Sequence, residues 1–392
     1  MKVAHVITRM IVGGAQENTL YTCMDLQQRH GDDVLLITGP ALGPEGDLMQ
    51  RVPGATTVRT HAIDALRRAI HPLRDKTSYL AIRRALRDFQ PDVVHTHSAK
   101  GGILGRLAAH ALRVPAIVHT VHGAPFGPYQ GRGASAFYQW CERYAAKRCH
   151  ALISVADAMT DLMVSARVAP REKFVTIYSG MEVEPFLNSD QHRARMRREL
   201  GFAEQDVVIG KIARLFELKG HEYVIAAAQQ IVPRFPQAKF LFVGDGILRE
   251  KYESEIAAAG LRQHFVFTGL VPPTRIPEYL SAMDVLVHTS LREGLARALP
   301  QALLSGKPAV SFDVDGAREV VRTGETGFLL PPRELAPLVD ALEQLIADPR
   351  LRLRLGAAGR ERCREPFRHE YMTEQIRNLY ERLLAAGKGT AR

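Results

Sequence analysis

Short apolar runs alternate with stretches of helical period along almost the whole chain. Val3 to Thr8 is an apolar run; Gly13 and Gly14 follow, then a helix-compatible stretch from Ala15 to Arg29, and Val34 to Thr38 reads as the next strand. Strand, glycine loop, helix, strand is the opening of a βαβ unit. The alternation continues through Asp92 to His95, a helical Gly102 to Leu112, a strand at Ala116 to Thr120, another at Ala151 to Val155 and a helix over Ala156 to Ser165. Residues 1–185 are therefore expected to form an α/β domain on a mostly parallel sheet.

After Val175 to Ile177, the Ser179-Gly180 turn and the polar segment 188–199 read as a linker. A second series follows. Strands are expected at Val207 to Ala213, Lys239 to Val243, Phe265 to Thr268, Val285 to His288 and Pro308 to Phe312. Helices are expected at Glu222 to Val232, Leu248 to Ala259, Ile276 to Ala282 and Ala296 to Ser305. This predicts a second doubly wound domain over 200–365, ending in the helical stretches Leu335 to Ile346 and Leu351 to Arg364. In the tail, 366–392, Met372, Ile376, Leu379, Tyr380 and Leu383 recur at helical spacing. Such a stripe must be buried, by packing back on the first domain or in a dimer contact. Two domains also suit the length, since 392 residues exceed what one hydrophobic core usually organises.

Composition narrows the setting. Four scattered cysteines without CxxC spacing give neither a disulfide framework nor a sulfur-rich metal site, which fits a reducing compartment. No signal-peptide pattern and no run of apolar residues of membrane-spanning length is present, so a cytoplasmic location is expected. The net charge of +10 is uneven: residues 1–180 hold 22 Lys/Arg against 14 Asp/Glu, so most of the excess lies in the first half. Its densest part, Asp64 to Asp88, sets seven basic residues around apolar Leu66, Ile70, Leu73, Leu80, Ile82, Leu86 and Phe89. Such a segment suits phosphates or an anionic membrane; a solvated helical face is the plainer alternative.

Ligands of parallel α/β sheets sit beyond the C-terminal strand ends, where glycines allow close approach and helix N-termini offer free N–H groups. Neither GxGxxG nor GxxxxGK[ST] occurs, which removes the usual signatures of hydride transfer and ATP hydrolysis. In the first domain the strand-end positions carry Gly13 and Gly14, His95 and His97, Lys100 to Gly102, and His119 and His122. In the second they carry Arg214 and Lys219 before Gly220, then Gly244 and Gly246, then Glu293 and Gly294 ahead of the helix containing Gln301. Cations suit a diphosphate, a carboxylate suits hydroxyls, and backbone N–H groups suit the phosphate end. No metal site is expected; the DVD at Asp313 to Asp315 reads as a turn that orders Gly316 and Glu319.

The segments VITRMIVGGAQ, VVHTHSAKGGILGRLAA, IVHTVHG, IYSGMEVEPF, IARLFELKG and TSLREGLARALPQALLSGKPAV together resemble glycosyltransferase family 4. The resemblance implies an α/β chain of GT-B architecture, two doubly wound parallel-sheet domains facing across a cleft. It implies a retaining transfer from a nucleotide sugar, with UDP the expected base and GDP open, to a glycan or lipid-linked acceptor. Gly13, Gly14, Arg214, Lys219 and Gly244 would lie toward the diphosphate. Glu293 with the Gly294 and Leu295 backbone would meet sugar and phosphate, Leu270 and Val271 would border the base, and His122 would bond the transferred sugar or its diphosphate side. His122, Arg214, Lys219 and Glu293 are the expected catalytic set. Where the family carries a second glutamate at the ribose, this chain has Gln301, whose amide accepts a hydrogen bond without charge assistance. No cofactor, metal or nucleic acid is expected. The expected partners are the nucleotide sugar, the acceptor and an anionic membrane, with oligomeric state open. The alternatives are an impaired nucleotide-sugar-binding assembly subunit and a sugar-nucleotide epimerase.

Overall fold

The structure, a computed structural model, describes residues 1–43, 46–127 and 130–389, which divide into two compact units. The first comprises Met1–Met181 and Pro366–Arg392, the second Glu182–Glu365. In the first, strands β1 (Lys2–Arg9), β2 (Asp33–Gly39), β3 (Arg59–Ala62), β4 (Val93–His97), β5 (Ala116–Val121), β6 (Ala151–Ser154) and β7 (Phe174–Thr176) form one parallel sheet. Their order is β3-β2-β1-β4-β5-β6-β7, so the direction of winding reverses between β1 and β4. Helices α1 (Gly14–Gln28), α2 (Pro72–Phe89), α3 (Ala99–Ala111), α4 (Arg132–Ala146) and α5 (Asp157–Ser165) connect them. β1, β4 and β5 are buried along nearly their whole length, polar His95, Thr96, His97, His119 and Thr120 included, because helices cover both sheet faces.

Two elements of this unit escape the hydrophobic pattern, for opposite reasons. β3 is an edge strand exposed at all four positions, Arg59 to Ala62, so no alternation marks it. α4 turns Phe137, Trp140 and Tyr144 outward, 50%, 59% and 42% exposed, and its apolar spacing does not face a core.

The second unit carries β8 (Val207–Ile212), β9 (Ala238–Val243), β10 (Phe265–Phe267), β11 (Val285–His288), β12 (Ala309–Phe312) and β13 (Gly327–Leu330) in the order β10-β9-β8-β11-β12-β13. Winding reverses here between β8 and β11. Its helices are α6 (Glu184–Leu187), α7 (Arg193–Glu199), α8 (His221–Ile231), α9 (Arg249–Ala258), α10 (Ile276–Ala282), α11 (Ala298–Leu304), α12 (Ala317–Val320), α13 (Leu335–Ala347) and α14 (Pro349–Arg364). Segment 188–199, read above as a linker, is instead helical and part of this unit. Arg193 bonds Asp284 at 2.6 Å and Arg197 bonds it at 3.2 Å, so the polar residues that suggested a linker are ion-pair partners.

The last helix, α15 (His369–Gly389), belongs to the first unit. Met372, Ile376, Leu379 and Tyr380 are buried in the same core as Leu20, Cys23 and Leu26 of α1. Burial of four such side chains is worth several kcal/mol, roughly 1.5–3 each. The carboxylate of Asp25 fixes the register, accepting from His369 Nδ1 at 2.8 Å and Thr373 Oγ1 at 2.9 Å. No helix of the described residues is long and apolar enough to cross a membrane.

Candidate functional site

The reversal between β8 and β11 opens a crevice at their C-terminal ends, because the loops leaving these neighbouring strands run to opposite faces of the sheet. The two loops are laced together there. Gly220 has φ 71°, and a Cβ on it would fall 2.0 Å from the carbonyl oxygen of Thr289, so only glycine fits. Thr289 Oγ1 donates to the Gly220 carbonyl at 2.6 Å, and Leu291 N donates to Leu218 O at 2.8 Å. This lacing sets the Lys219 ammonium against the Glu293 carboxylate in a charge-assisted hydrogen bond.

Glu293 is held from behind as well. Its N–H donates to Asp315 Oδ2 at 2.6 Å, and Gly316 N donates to the Gly294 carbonyl at 3.0 Å. Burial alone would lift the Glu293 carboxyl; Lys219, His288 and Ser290 outweigh it and hold the group below the usual range, so it is ionised at neutral pH. Asp313 pairs separately with Arg318 at 2.7 Å, so the two aspartates of the DVD segment serve different partners. Arg214 is exposed at the end of β8, its guanidinium 4.9 Å from the Phe216 ring centre, with no ion pair among the described residues. Beneath the pair lies Lys211, fully buried in β8 and bonded to Thr289 Oγ1 at 3.0 Å. Burial, then the nearby Lys219, pulls it down to about 7.

In the first unit the corresponding reversal, between β1 and β4, is lined by hydroxyls and glycines, and nearby Lys100 is paired with Asp75. Thr8 Oγ1 and Ser98 Oγ are 2.7 Å apart, and Gly101 N donates to Thr8 Oγ1 at 2.9 Å. α3 sits this close because its first turn is glycine: a Cβ at Gly101 would lie 2.8 Å from Thr8 N, and one at Gly102 would lie 2.5 Å from the His119 ring. His119 and His122 line a pocket with Ser98, Thr120, Gly123 and Pro125. Burial lowers His122 to about 4 and His119 well below its ordinary value, so both rings are neutral at pH 7.

Residues 13–180 match the family model described as "Glycosyl transferase 4-like domain", and residues 192–362 match "Glycosyl transferases group 1". The chain belongs to the family 4 glycosyltransferases. It is 28% identical over 386 residues to the UDP-Gal:alpha-D-GlcNAc-diphosphoundecaprenol alpha-1,3-galactosyltransferase of Escherichia coli, covering 97% of this chain and 96% of that one. Among solved structures, Anabaena HepE in complex with UDP is similar at TM-score 0.81 and 22% identity, over 97% of this chain and 100% of that one. Sucrose-phosphate synthase from Thermosynechococcus elongatus matches at TM-score 0.81 and 21% identity, over 98% and 100%. Both show the GT-B fold, to which the two parallel-sheet units conform.

Within this glycosyltransferase the structure joins some of the expected residues and leaves others apart. Lys219 and Glu293 are bonded, and the loops bearing Arg214 and Gly244 adjoin, since Leu215 N donates to Asp245 O at 2.9 Å. Gly244 is bridged to Gly269, which carries Leu270 out to 74% exposure with Val271 beside it. Gly294 and Leu295 are partly exposed in the loop after β11. Gln301 is the one residue of α11 that is not buried. Gly13 and Gly14 lie at the start of α1, and His122 lies at the end of β5, all in the first unit. Lys100 is a tether, paired with Asp75 of α2 at 2.5 Å. Sequence reasoning missed Lys211 and His5. Their signal was available: each is a lone polar side chain inside an apolar run, 3–7 for His5 and 207–212 for Lys211.

Proposed function

We propose that this glycosyltransferase moves a sugar from UDP to a lipid-linked glycan acceptor with retention at the anomeric carbon. The observation that carries the reading is the Lys219–Glu293 pair beside the exposed Arg214 at the β8/β11 crevice. Negative charge grows on the diphosphate as the glycosidic C–O bond breaks, and two cations already oriented there stabilise it without reorganising. Glu293 orients Lys219 and offers its remaining lone pairs to sugar hydroxyls. Gln301 takes the ribose hydroxyls, Leu270 and Val271 flank the base, and His122 bonds the transferred sugar. The acceptor hydroxyl attacks on the face the leaving group departs, passing its proton to the departing phosphate oxygen. No enzyme nucleophile is bonded to the sugar.

The choice of UDP is supported by the Escherichia coli relative, whose donor is UDP-Gal, and by HepE, crystallised with UDP. The lipid-linked acceptor is supported by the diphosphoundecaprenol in that relative's name and by the surface of the first unit. There α2 and the turn before it expose Ile70, Leu73 and Leu80 among arginines, and α4 exposes Phe137, Trp140 and Tyr144 beside Arg148. Basic and aromatic groups together suit the interface of an anionic membrane at the cytoplasmic face. A thermal-shift panel tests the donor: UDP raises the melting temperature more than GDP, and equal shifts would sink the base assignment. An α-linked product from an α-linked donor, read by NMR, tests retention. Sedimentation with anionic and neutral vesicles tests the membrane contact, which fails if neither vesicle binds at low salt.

A further inference from the structure

Three histidine rings form a hydrogen-bonded line in the first unit, from the middle of its sheet to the pocket at the end of β5. His5 Nδ1 lies 3.0 Å from His97 Nε2, and His97 Nδ1 lies 3.1 Å from His122 Nε2. The rings are stacked at each step, with centres 5.3 Å and then 5.4 Å apart. Neighbouring rings are engaged elsewhere: His95 bonds Tyr380 Oη at 2.5 Å and Thr120 Oγ1 at 2.7 Å, and His119 bonds Thr96 Oγ1 at 2.9 Å. Burial holds His5 at about 3 and His122 at about 4. Burial, then the surrounding histidines, holds His97 well below its ordinary value, so all three rings are neutral.

A neutral imidazole has one N–H and one lone pair, so placing one proton along this line places the others. Two polarities are possible. If His122 donates inward, His97 donates to His5, and His5 is left with its proton on Nε2. That atom is buried and has no hydrogen-bond partner among the described residues. If instead His5 donates outward from Nδ1, His97 also donates from Nδ1 and only a lone pair is left at His5 Nε2. An N–H with no acceptor is the rarer and costlier orphan, whereas a lone pair can rest against the positive C–H edges of adjoining rings. The second polarity is therefore preferred. It delivers a hydrogen bond to His122 Nε2, which forces the His122 proton onto Nδ1, the nitrogen that has no partner among the described residues.

We propose that His5 and His97 are positioning residues that lock His122 as its Nδ1–H tautomer, so that the pocket offers a fixed, uncharged hydrogen-bond donor to a sugar or phosphate oxygen. In water the neutral side chain prefers its proton on Nε2, so the line of rings reverses the intrinsic choice. The consequence for catalysis rests on the reading of His122 as a ligand-binding histidine; the tautomer itself does not. His5, His95 and His97 also offer atoms within 4.8 Å of one another. Both nitrogens of His95 and of His97 are already hydrogen-bonded, however, so a metal would have to break bonds that the protein makes.

The test is long-range 1H–15N correlation on the full chain labelled at histidine nitrogens, with His122→Gln used to assign its signals. His122 is expected as Nδ1–H. His97→Leu is expected to move it toward Nε2–H and to lower kcat about tenfold, the worth of one hydrogen bond, while the UDP-induced thermal shift stays as in the unaltered protein. His97→Asn keeps an N–H donor at the place of Nδ1 and is expected to restore both the tautomer and most of kcat. Nε2–H at His122 in the unaltered protein overturns the proposal without any variant having to fold, as does stoichiometric metal bound by these rings. A tautomer that changes in His97→Leu with kcat unmoved supports the lock and overturns the reading of His122 as a ligand-binding group.

Discussion

The two units wind the same kind of sheet and reverse it at a comparable place, yet they fill the reversal with opposite chemistry. At β8/β11 the second unit sets ionised groups: Lys219, Glu293 and the exposed Arg214, with Lys211 below. At β1/β4 and the end of β5 the first unit sets hydroxyls and neutral imidazoles: Thr8, Ser98, His97 and His122. Fixed charge suits a diphosphate whose charge grows during transfer, whereas uncharged donors and acceptors suit hydroxyls that stay neutral. The same topology thus carries different polarity in the two units.

The largest expected effect separates the units by stability. Arg106 and Glu142 form a buried pair at 2.8 Å in the first unit, and Glu142→Gln strands the guanidinium. A loss of about 3–5 kcal/mol is expected in the transition of the first unit. The single tryptophan, Trp140 in α4, reports that transition by fluorescence, and protection by UDP reports the second unit. If both transitions move together, the units are not separable in this way.

Next, Lys219→Ala removes a cation of the proposed donor site and takes from Glu293 its ammonium partner. Transfer is expected to fall about 10²–10³-fold in kcat, with the fluorescence transition of the first unit unmoved. A variant with ordinary kcat and KM would show that the charged crevice is not the donor site.

A third contrast is acid sensitivity. Burial depresses His5, His95, His97, His119, His122 and His150 in the first unit, and only His221 and His288 among the described residues of the second. Unfolded rings take up protons as pH falls below 6.5, but folded His122 resists until about 4 and His5 until about 3. Their stabilising contribution is therefore complete above pH 6.5 and is lost below it, by up to about 1.4 kcal/mol per pH unit for each ring. The first unit should melt ahead of the second between pH 6.5 and 4. Urea titrations across that range, followed by Trp140, check the order.

The smallest effect sharpens the proposed donor site. Gln301→Glu adds charge assistance at the half-buried position of α11 and is expected to tighten UDP binding about fivefold, near 1 kcal/mol. Calorimetry with UDP measures it, and unchanged affinity would remove Gln301 from the ribose.

Much of the alternation was legible because core strands in this fold bury both faces and read as apolar runs. β8 to β12 and their helices lie within a residue or two of where the pattern puts them. The pattern failed wherever a segment's partner was not the core. β3 is exposed throughout, α4 points its aromatic residues outward, and 188–199 is polar because its arginines seek Asp284. At the site, the residue types at the strand ends were readable, as Arg214, Lys219 and Glu293 show. Their pairing was not, because 74 residues separate Lys219 from Glu293.

By itself, the sequence determined the two-unit α/β organisation, the strand ends where polar residues gather, and the family, since period and strand-end chemistry are local properties of the chain. Only the tertiary structure decided which ends become neighbours. The reversal of winding brought β8 beside β11 and β1 beside β4, so Lys219 met Glu293 and His5 met His97, contacts that depend on strand order. Burial did the rest: it made the imidazoles neutral and lowered Lys211, properties that no side chain carries before it is taken out of water.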